Sequence, residues 1–481
     1  MQSQLKSRDL ACVVFALLAA CSGAQKTPDS GSGGSGPNPI PPIFVPGDCN
    51  LEQPAFCETF EKEFAGGRGG PLDEKVWSVA RWGLPSTGGF RLFARHAATS
   101  AGQFTNTPSF CNGPFSDILP YDDLRFCDGT DGAGFGSKQL NEVFEDDGSF
   151  AFTSLRIRQP FDFANRSGTI VFDVDAKRNI QFDGHGWWVE LWLSADPTPM
   201  PYHGAPTVAS YARRAIGFQI APLTVDCFHQ ETPVCNQVGR IVVHRDYKVV
   251  RDTAIEPNTG FNTLDTKLNR FKFVISANRV EIFASNYDAA GKMIQVAVAD
   301  NLGLDWTRGY VHLQHAQYNS PKVNASGSQT YRWDNVAFDG PTYPTPRGYD
   351  VPDNQEQIGS TTERVLRYGY DLVPQGLPPT PVNVKVQGID LTRATNATFN
   401  FNVFTVGNRS LKYRFNTSAW HTFVTPAELG GDLLLRTFSL PVPLEELVAG
   451  ENSIGVMVDS PINGNGAEAV GNMDLTIEAT P

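Results

Sequence analysis

Short runs in which apolar and polar residues alternate dominate this sequence and most constrain its fold. The run GTIVFDVD, residues 168–175, alternates Ile170, Phe172 and Val174 with the residues between them, the pattern of a strand with one buried face. Similar runs recur at intervals of about 8 to 12 residues where the turns are short. Helical periodicity is almost absent. We therefore predict an all-β protein, with a β-sandwich as its architecture.

The same pattern divides the chain into domains. The stretch RFKFVISANRVEIFASN, residues 270–286, predicts two strands joined by a tight turn at Ala277-Asn278. A segment rich in Pro, Gly and polar residues follows Pro341 and predicts a linker. We expect a large sandwich over residues 49–341, a linker over 342–360 and a smaller sandwich over 361–481.

The N-terminal residues have the features of a targeting segment. A short apolar run with two basic residues before it ends in Leu-Ala-Ala-Cys at Cys21, and it is far shorter than the roughly 20 residues that span a bilayer. It resembles a bacterial lipoprotein signal, which implies that residues 1–20 are removed and that Cys21 is acylated. Ser22 would then favour the outer membrane. Residues 21–48, rich in Gly, Ser and Pro, would form a tether. The alternative is an ordinary secretory signal.

The six cysteines that follow Cys21 fall into three pairs that are local in sequence. In a chain that has left the cytoplasm, this spacing favours three disulfides that close loops. A zinc site is the weaker alternative, because no Cys-x-x-Cys pair is present. The predicted disulfides are Cys49–Cys57, Cys111–Cys127 and Cys227–Cys235.

The charge of the chain limits its partners. With 39 basic and 51 acidic residues the net charge is −12, and no basic run is present. This balance argues against a nucleic-acid partner and against electrostatic binding to an anionic membrane surface. Binding of neutral glycans would be unaffected.

Three stretches carry a resemblance to a known superfamily. They are FCETFEKEFAGGRGGPLDEKVWSVARW at 56–82, the hairpin at 270–286, and YRWDNVAFDGP at 331–341. In this order they resemble the concanavalin-like lectin and glucanase superfamily, and the first is similar to the opening of laminarinase-type glycoside hydrolases. The resemblance implies two curved antiparallel sheets with a sugar-binding groove on the concave one.

The stretch GWWVELWL, residues 186–193, is similar to the strand that lines the groove in the laminarinase-type enzymes. Alternation places Trp188, Glu190 and Trp192 on one face, with Trp187 on the core face. Tryptophan rings stack on sugar rings, and a carboxylate accepts hydrogen bonds from hydroxyl groups. We therefore predict that Trp188, Glu190 and Trp192 bind a polysaccharide.

The catalytic signature of those enzymes is missing. Their next strand carries Glu-x-Asp-x-x-Glu, but this chain has no Asp or Glu between Pro197 and Val225. Retaining hydrolysis needs two carboxyl groups about 5 to 5.5 Å apart, so binding without cleavage is favoured. One alternative is a hydrolase or lyase with a rearranged site, in which Glu190 acts with Asp183 or a loop acid. The other is a structural envelope or adhesion protein.

Further candidates are weaker. His315 and Tyr318 lie in HLQHAQYNSPK, which predicts either a polar rim of the groove, with one of them as a lyase base, or a polar edge strand. His185 could be a second rim ligand. Asp334 matches an Asp that binds structural calcium in many laminarinase-type proteins, so calcium is the one cofactor we expect; the alternative is an Asp that caps the strand end. Residues 440–460 resemble galactose-binding-like modules.

Overall fold

The structure is a computed structural model that describes much of the chain beyond residue 48. No helix within the described residues is long and apolar enough to cross a lipid bilayer. The one helical segment found there is a single 3₁₀ turn, Leu444–Glu446. The described residues are 49, 51–60, 75–84, 124–128, 138–145, 150–164, 166–174, 186–199, 201–205, 208–211, 214–221, 240–245, 248–254, 269–286, 293–318, 328–351, 381–405, 410–424, 434–458 and 468–481.

The first part of the chain forms a large antiparallel β-sandwich. Its described strands are β1 (Pro54–Glu58), β2 (Trp77–Leu84), β3 (Leu124–Asp128), β4 (Lys138–Glu145), β5 (Phe150–Ile157), β6 (Phe161–Asp162), β7 (Gly168–Val174), β8 (Gly186–Ser194), β9 (Tyr202–Ala205), β10 (Val208–Tyr211), β11 (Ala215–Ala221), β12 (Arg240–Arg245), β13 (Lys248–Ala254), β14 (Asn269–Ile275), β15 (Arg279–Asn286), β16 (Ile294–Asp300), β17 (Arg308–Tyr318) and β18 (Ser328–Asp339).

Two eight-stranded sheets build this sandwich, and β9 and β10 form a separate hairpin. The first sheet has the order β16-β15-β14-β7-β18-β4-β3, with β1 paired to β18. The second sheet has the order β13-β12-β11-β8-β17-β5-β2, with β6 paired to β17. Strands that are far apart in the sequence often pair, as β7 and β18 do, so most pairings join distant parts of the chain.

The core of the large sandwich lies between the two sheets. The alternation in β7 buries Ile170 and Phe172 in this core, as the sequence predicts. Phe273 of the first sheet meets Phe218 of the second with ring centroids 4.9 Å apart. The packing of aromatic and β-branched side chains from both sheets removes apolar surface from water and stabilises the sandwich.

The C-terminal part forms a small β-sandwich of two four-stranded sheets, β19-β26-β21-β24 and β20-β25-β22-β23. Phe399 and Phe415 contact each other across its core, with centroids 5.5 Å apart. Its strands are β19 (Arg347–Asp350), β20 (Val382–Ile389), β21 (Ala394–Thr405), β22 (Ser410–Phe415), β23 (His421–Val424), β24 (Leu434–Pro441), β25 (Gly450–Val458) and β26 (Glu468–Ala479).

The all-β class with a large sandwich before a smaller one is confirmed. The boundary between them differs in one respect, because β19 lies within residues 342–360, the predicted linker, and pairs with β26. That range therefore contains an edge strand of the small sandwich.

Two local predictions can be checked directly. Residues 270–286 form the hairpin β14–β15, and Ser276 closes its turn by a backbone hydrogen bond to Arg279. The disulfide Cys49–Cys57 is present. The other two predicted disulfides, Cys111–Cys127 and Cys227–Cys235, involve residues whose side chains lie outside the described part of the chain, as does the predicted lipidation site Cys21.

Candidate functional site

Strand pairing collects polar side chains on the outer face of the second sheet. Leu191 and Leu193 of β8 enter the core, so Glu190 and Trp192 take the opposite face. The register places Glu190 directly opposite Gln219 of β11 and Gln314 of β17, and Gln314 opposite Ser154 of β5. We call these four residues, Gln219, Glu190, Gln314 and Ser154, the polar row.

A second row of residues, which we call the second row, lies two positions along each strand from the polar row. In order across the sheet it contains Gly217, Trp192, His312, Arg156 and Ser78. All four of its side chains are buried. Sequence alternation identifies which residues of each strand share a face, but only the pairing shows that these rows adjoin.

Trp192 packs within the protein and offers no ring face to a ligand. Its indole N–H donates a hydrogen bond of 2.8 Å to Glu190 Oε2. The ring lies over Gly217, where an added Cβ would be 2.1 Å from it. The side chain is 0 % exposed. The structure therefore differs from the expectation of a sugar-stacking Trp192, because a glycine on the neighbouring strand lets the ring lie flat and an acid on its own strand binds its N–H.

Gln314 has a buried and unpaired amide. Its side chain is 2 % exposed, and neither Nε2 nor Oε1 has a hydrogen-bond partner. A buried amide without partners is costly, so such a group in a folded protein points to a missing polar partner. The sequence analysis did not select Gln314, because nothing in a single strand distinguishes it from the other polar residues of HLQHAQY.

His312 forms a buried relay between two serines. Its Nε2 lies 2.8 Å from Ser194 Oγ, and its Nδ1 lies 3.2 Å from Ser154 Oγ. Ser194 Oγ donates its own hydrogen to the carbonyl oxygen of Asp196, so His312 Nε2–H must donate to Ser194 and Nδ1 must accept from Ser154. Burial, with a smaller contribution from the nearby Arg156 charge, lowers the pKa of His312 well below its ordinary value, so the ring is neutral at pH 7.

This neutral histidine predicts a loss of stability in acid. Because the folded pKa of His312 is depressed, the unfolded chain binds more protons below about pH 6.5, and the free energy of unfolding falls as the pH decreases. Each pH unit below that value should cost up to about 1.4 kcal/mol until the folded pKa is reached. Urea unfolding at pH 7 and pH 5 measures the loss, and His312→Gln should show a smaller difference between the two pH values. An unchanged difference in the variant would contradict the assignment.

The acids of this face do not form a hydrolase pair in the described strands. Glu190 is the one Asp or Glu within β2, β5, β8, β11, β12 and β17. The nearest acid in register is Asp252 of β13, opposite Val242 of β12 and three strands from Glu190. At a strand spacing of roughly 4.8 Å this separation is about 14 Å. Glycoside hydrolysis needs carboxyl groups about 5 to 9.5 Å apart.

The strand register shows which of the other predicted site residues occupy positions in phase with Glu190. Trp188 pairs with Ala316, and Tyr318 pairs with Gly186, so both positions are in phase with Glu190. His315, one of the two candidate lyase bases, pairs with Val189, so its position is out of phase with Glu190. His185 lies outside the described residues.

The small sandwich borders the site on the side of β2 and β5. Asp474 of β26 accepts hydrogen bonds from Ser78 and Arg156, both members of the second row. Neither Arg156 nor Asp474 was selected from the sequence. They lie 318 positions apart, and no sequence pattern connects them.

Asp334 lies on β18 of the first sheet, whereas this site lies on the second sheet. It is buried opposite Asp173, and its Oδ1 accepts the backbone N–H of Asn335. Asn335 Oδ1 is buried without a hydrogen-bond partner, and an oxygen of this kind suits a calcium ion. No group of three or more His, Cys, Asp or Glu side chains that could hold a metal ion occurs in the described residues. Calcium at Asp334, with backbone carbonyls supplying the other oxygens, stays a prediction.

Comparison with known proteins gives distant structural matches. No protein-family profile matches this sequence, and no curated protein matches it. LamAcat from Zobellia galactanivorans aligns with 60% of this chain and 98% of its own at 11% identity, with a TM-score of 0.35. A family 16 endo-glucanase from Bacteroides ovatus aligns with 59% of this chain and 98% of its own at 10% identity and a TM-score of 0.33. Peanut lectin aligns with 43% of this chain and 85% of its own at 9% identity and a TM-score of 0.28.

The aligned proteins are of the two kinds, glucanases and lectins, to which the sequence resemblance pointed. Identities and TM-scores this low assign no function. The strand pairing described above establishes the fold.

Proposed function

We propose that the outer face of the second sheet binds a neutral polysaccharide without cleaving it. The observation that carries this proposal is the unpaired amide of Gln314 in the middle of the polar row. A sugar hydroxyl both donates and accepts hydrogen bonds, so it complements an amide that has a donor and an acceptor to fill. Gln219 on β11, which is 9 % exposed, is the most exposed side chain of the row.

The charges around the row favour a neutral ligand. Glu190 lies beside Gln314, and the whole chain has a net charge of −12. An acidic sugar would be repelled by both, whereas a hydroxyl group can donate to a carboxylate. Trp188, in phase with Glu190, is the residue we propose to stack on a sugar ring.

Binding without cleavage is supported by the absence of a second acid near Glu190 in the described strands of this face. A hydrolase or lyase would need an acid or base from another part of the chain. We further propose that acylated Cys21 anchors the protein to the bacterial outer membrane and that residues 21–48 act as a tether. The motif at Cys21 supports this part.

A glycan panel tests the proposal. The full chain with Cys21→Ser, which blocks lipidation, should bind at least one neutral polysaccharide. Gln314→Met should weaken that binding by about tenfold, the equivalent of about 1.4 kcal/mol for lost hydrogen bonds. The same substitution should not lower the melting temperature, because it replaces an unpaired buried amide with an apolar side chain of similar length.

Gln295→Met on the exposed edge strand β16 is the matched control and should change neither quantity. Failure to bind any glycan would refute the proposal. Release of reducing ends or unsaturated products that disappears in Glu190→Gln would replace it with a catalytic function.

A further inference from the structure

A buried carboxylate of the small sandwich, that of Asp474, binds three side chains of the large sandwich. Asp474 Oδ2 accepts three hydrogen bonds, from Ser78 Oγ at 2.7 Å, Arg156 Nη2 at 2.7 Å and Arg158 Nη1 at 3.2 Å. All four side chains are buried. Asp474 of the small sandwich therefore contacts β2 through Ser78 and β5 through Arg156. It also contacts Arg158, which directly follows β5.

Arg156 extends this contact toward β8. Its Nη1 donates to the carbonyl oxygens of Pro197 and Thr198, in the segment that directly follows β8. In the second row Arg156 is next to His312, which hydrogen bonds Ser194 at the end of β8. Hydrogen bonds therefore connect Asp474 through Arg156 to the segment that follows β8, the strand that carries Glu190.

The surrounding contacts fix the position of the small sandwich. Ala80 of β2 is buried in the hydrophobic core of the small sandwich. Arg158 packs against Gly348 of β19 so closely that a Cβ there would lie 1.6 Å from its guanidinium. Tyr310 Oη donates to Glu478 of β26 at 3.5 Å. The interface thus combines apolar packing, a backbone approach that requires glycine, and buried charge.

The charges at this interface depend on both sandwiches. Burial alone would raise the pKa of Asp474, but attraction to Arg158 and Arg156 outweighs it and lowers the pKa, so the carboxylate is ionised. Without the small sandwich, Arg156 and Arg158 would lose the carboxylate of Asp474, which hydrogen bonds both of them. Removing one member of a buried ion pair is strongly unfavourable, and the side chains would move.

We infer that the small sandwich is a fixed wall of the glycan site, and that Asp474 is a positioning residue that orients β8 and its following segment through Arg156. This inference rests on the proposed function. It implies that glycan affinity depends on a residue that touches no sugar.

Asp474→Asn in the full chain tests the inference. It keeps the size of the side chain and removes its charge, and it should weaken binding to the glycan that wild type binds by about tenfold, as expected for coupled neighbouring residues. Ser78→Ala, which removes one hydrogen bond to Asp474 and leaves no unpaired charge, should weaken binding severalfold. Phe415→Leu, in the core of the small sandwich on the sheet that does not contain Asp474, provides a control that loses stability.

Amide hydrogen exchange gives a readout that does not need a ligand. Exchange over residues 186–199 should be faster in Asp474→Asn than in wild type, by about tenfold, and unchanged in Phe415→Leu. Wild-type affinity and exchange in Asp474→Asn would overturn the inference, as would equal losses in Phe415→Leu. If wild type binds no glycan, the proposed function fails, while the exchange measurement still decides whether Asp474 orients this segment.

Discussion

Replacing Trp192 with alanine should lower the free energy of unfolding by about 3 to 5 kcal/mol, the range for removing a fully buried tryptophan. The ring is 0 % exposed, and it lies over Gly217, which has no side chain to fill the cavity left behind. The substitution also removes the donor that binds Glu190 Oε2. Chemical denaturation of the full chain measures the loss.

Two further variants separate these contributions. Trp192→Phe keeps an aromatic ring but removes the donor to Glu190, so its loss of stability should be smaller than that of Trp192→Ala. Val250→Ala, at an exposed position of β13 in the same sheet, should change stability little. Lost glycan retention in Trp192→Ala with unchanged unfolding would contradict a packing role and support the stacking role predicted from sequence.

Replacing Asp173 with asparagine should destabilise the large sandwich by a similar amount, about 3 to 5 kcal/mol, because it removes the negative charge from a buried bidentate ion pair. Arg270 Nε and Nη2 bind the two oxygens of Asp173, each at 2.7 Å, and Asn335 Nδ2 donates to Oδ2 at 2.8 Å. Both members of the ion pair are buried. Bidentate geometry and burial make this pair more sensitive than a surface pair.

Asp300→Asn is the matched control for this prediction. Asp300 binds Arg279 at 2.5 Å in the same sheet, but both side chains are exposed, so solvent screens the pair and its loss should matter little. Thermal unfolding of the two variants beside wild type makes the comparison. Equal shifts in melting temperature for the two substitutions would show that burial does not set the strength of the Asp173 pair.

Local features of the fold follow from the sequence for simple reasons. Alternation in 168–175 predicts the strand β7 and its buried face, because side chains of a strand point to opposite faces in turn. The hairpin at 270–286 and the disulfide Cys49–Cys57 join residues close in sequence, so short-range patterns suffice to predict them.

The candidate site depends on information that no single strand contains. The sequence placed Glu190 and Trp192 on one face correctly, but it could not show that Gly217 of another strand would receive the ring. The polar row forms only when β11, β8, β17 and β5 pair in one register, and their segments are far apart in the chain.

The sequence by itself determined the all-β class, the order of the two sandwiches and the core-facing side of strands such as β7 and β8, because these depend on the period of apolar residues over a few positions. Only the tertiary structure decided which polar residues of the second sheet meet, that Trp192 is buried, and that Asp474 holds Arg156 from another domain. These outcomes depend on pairing register and on the packing of separate segments, and the free energies involved belong to contacts between residues that are tens to hundreds of positions apart.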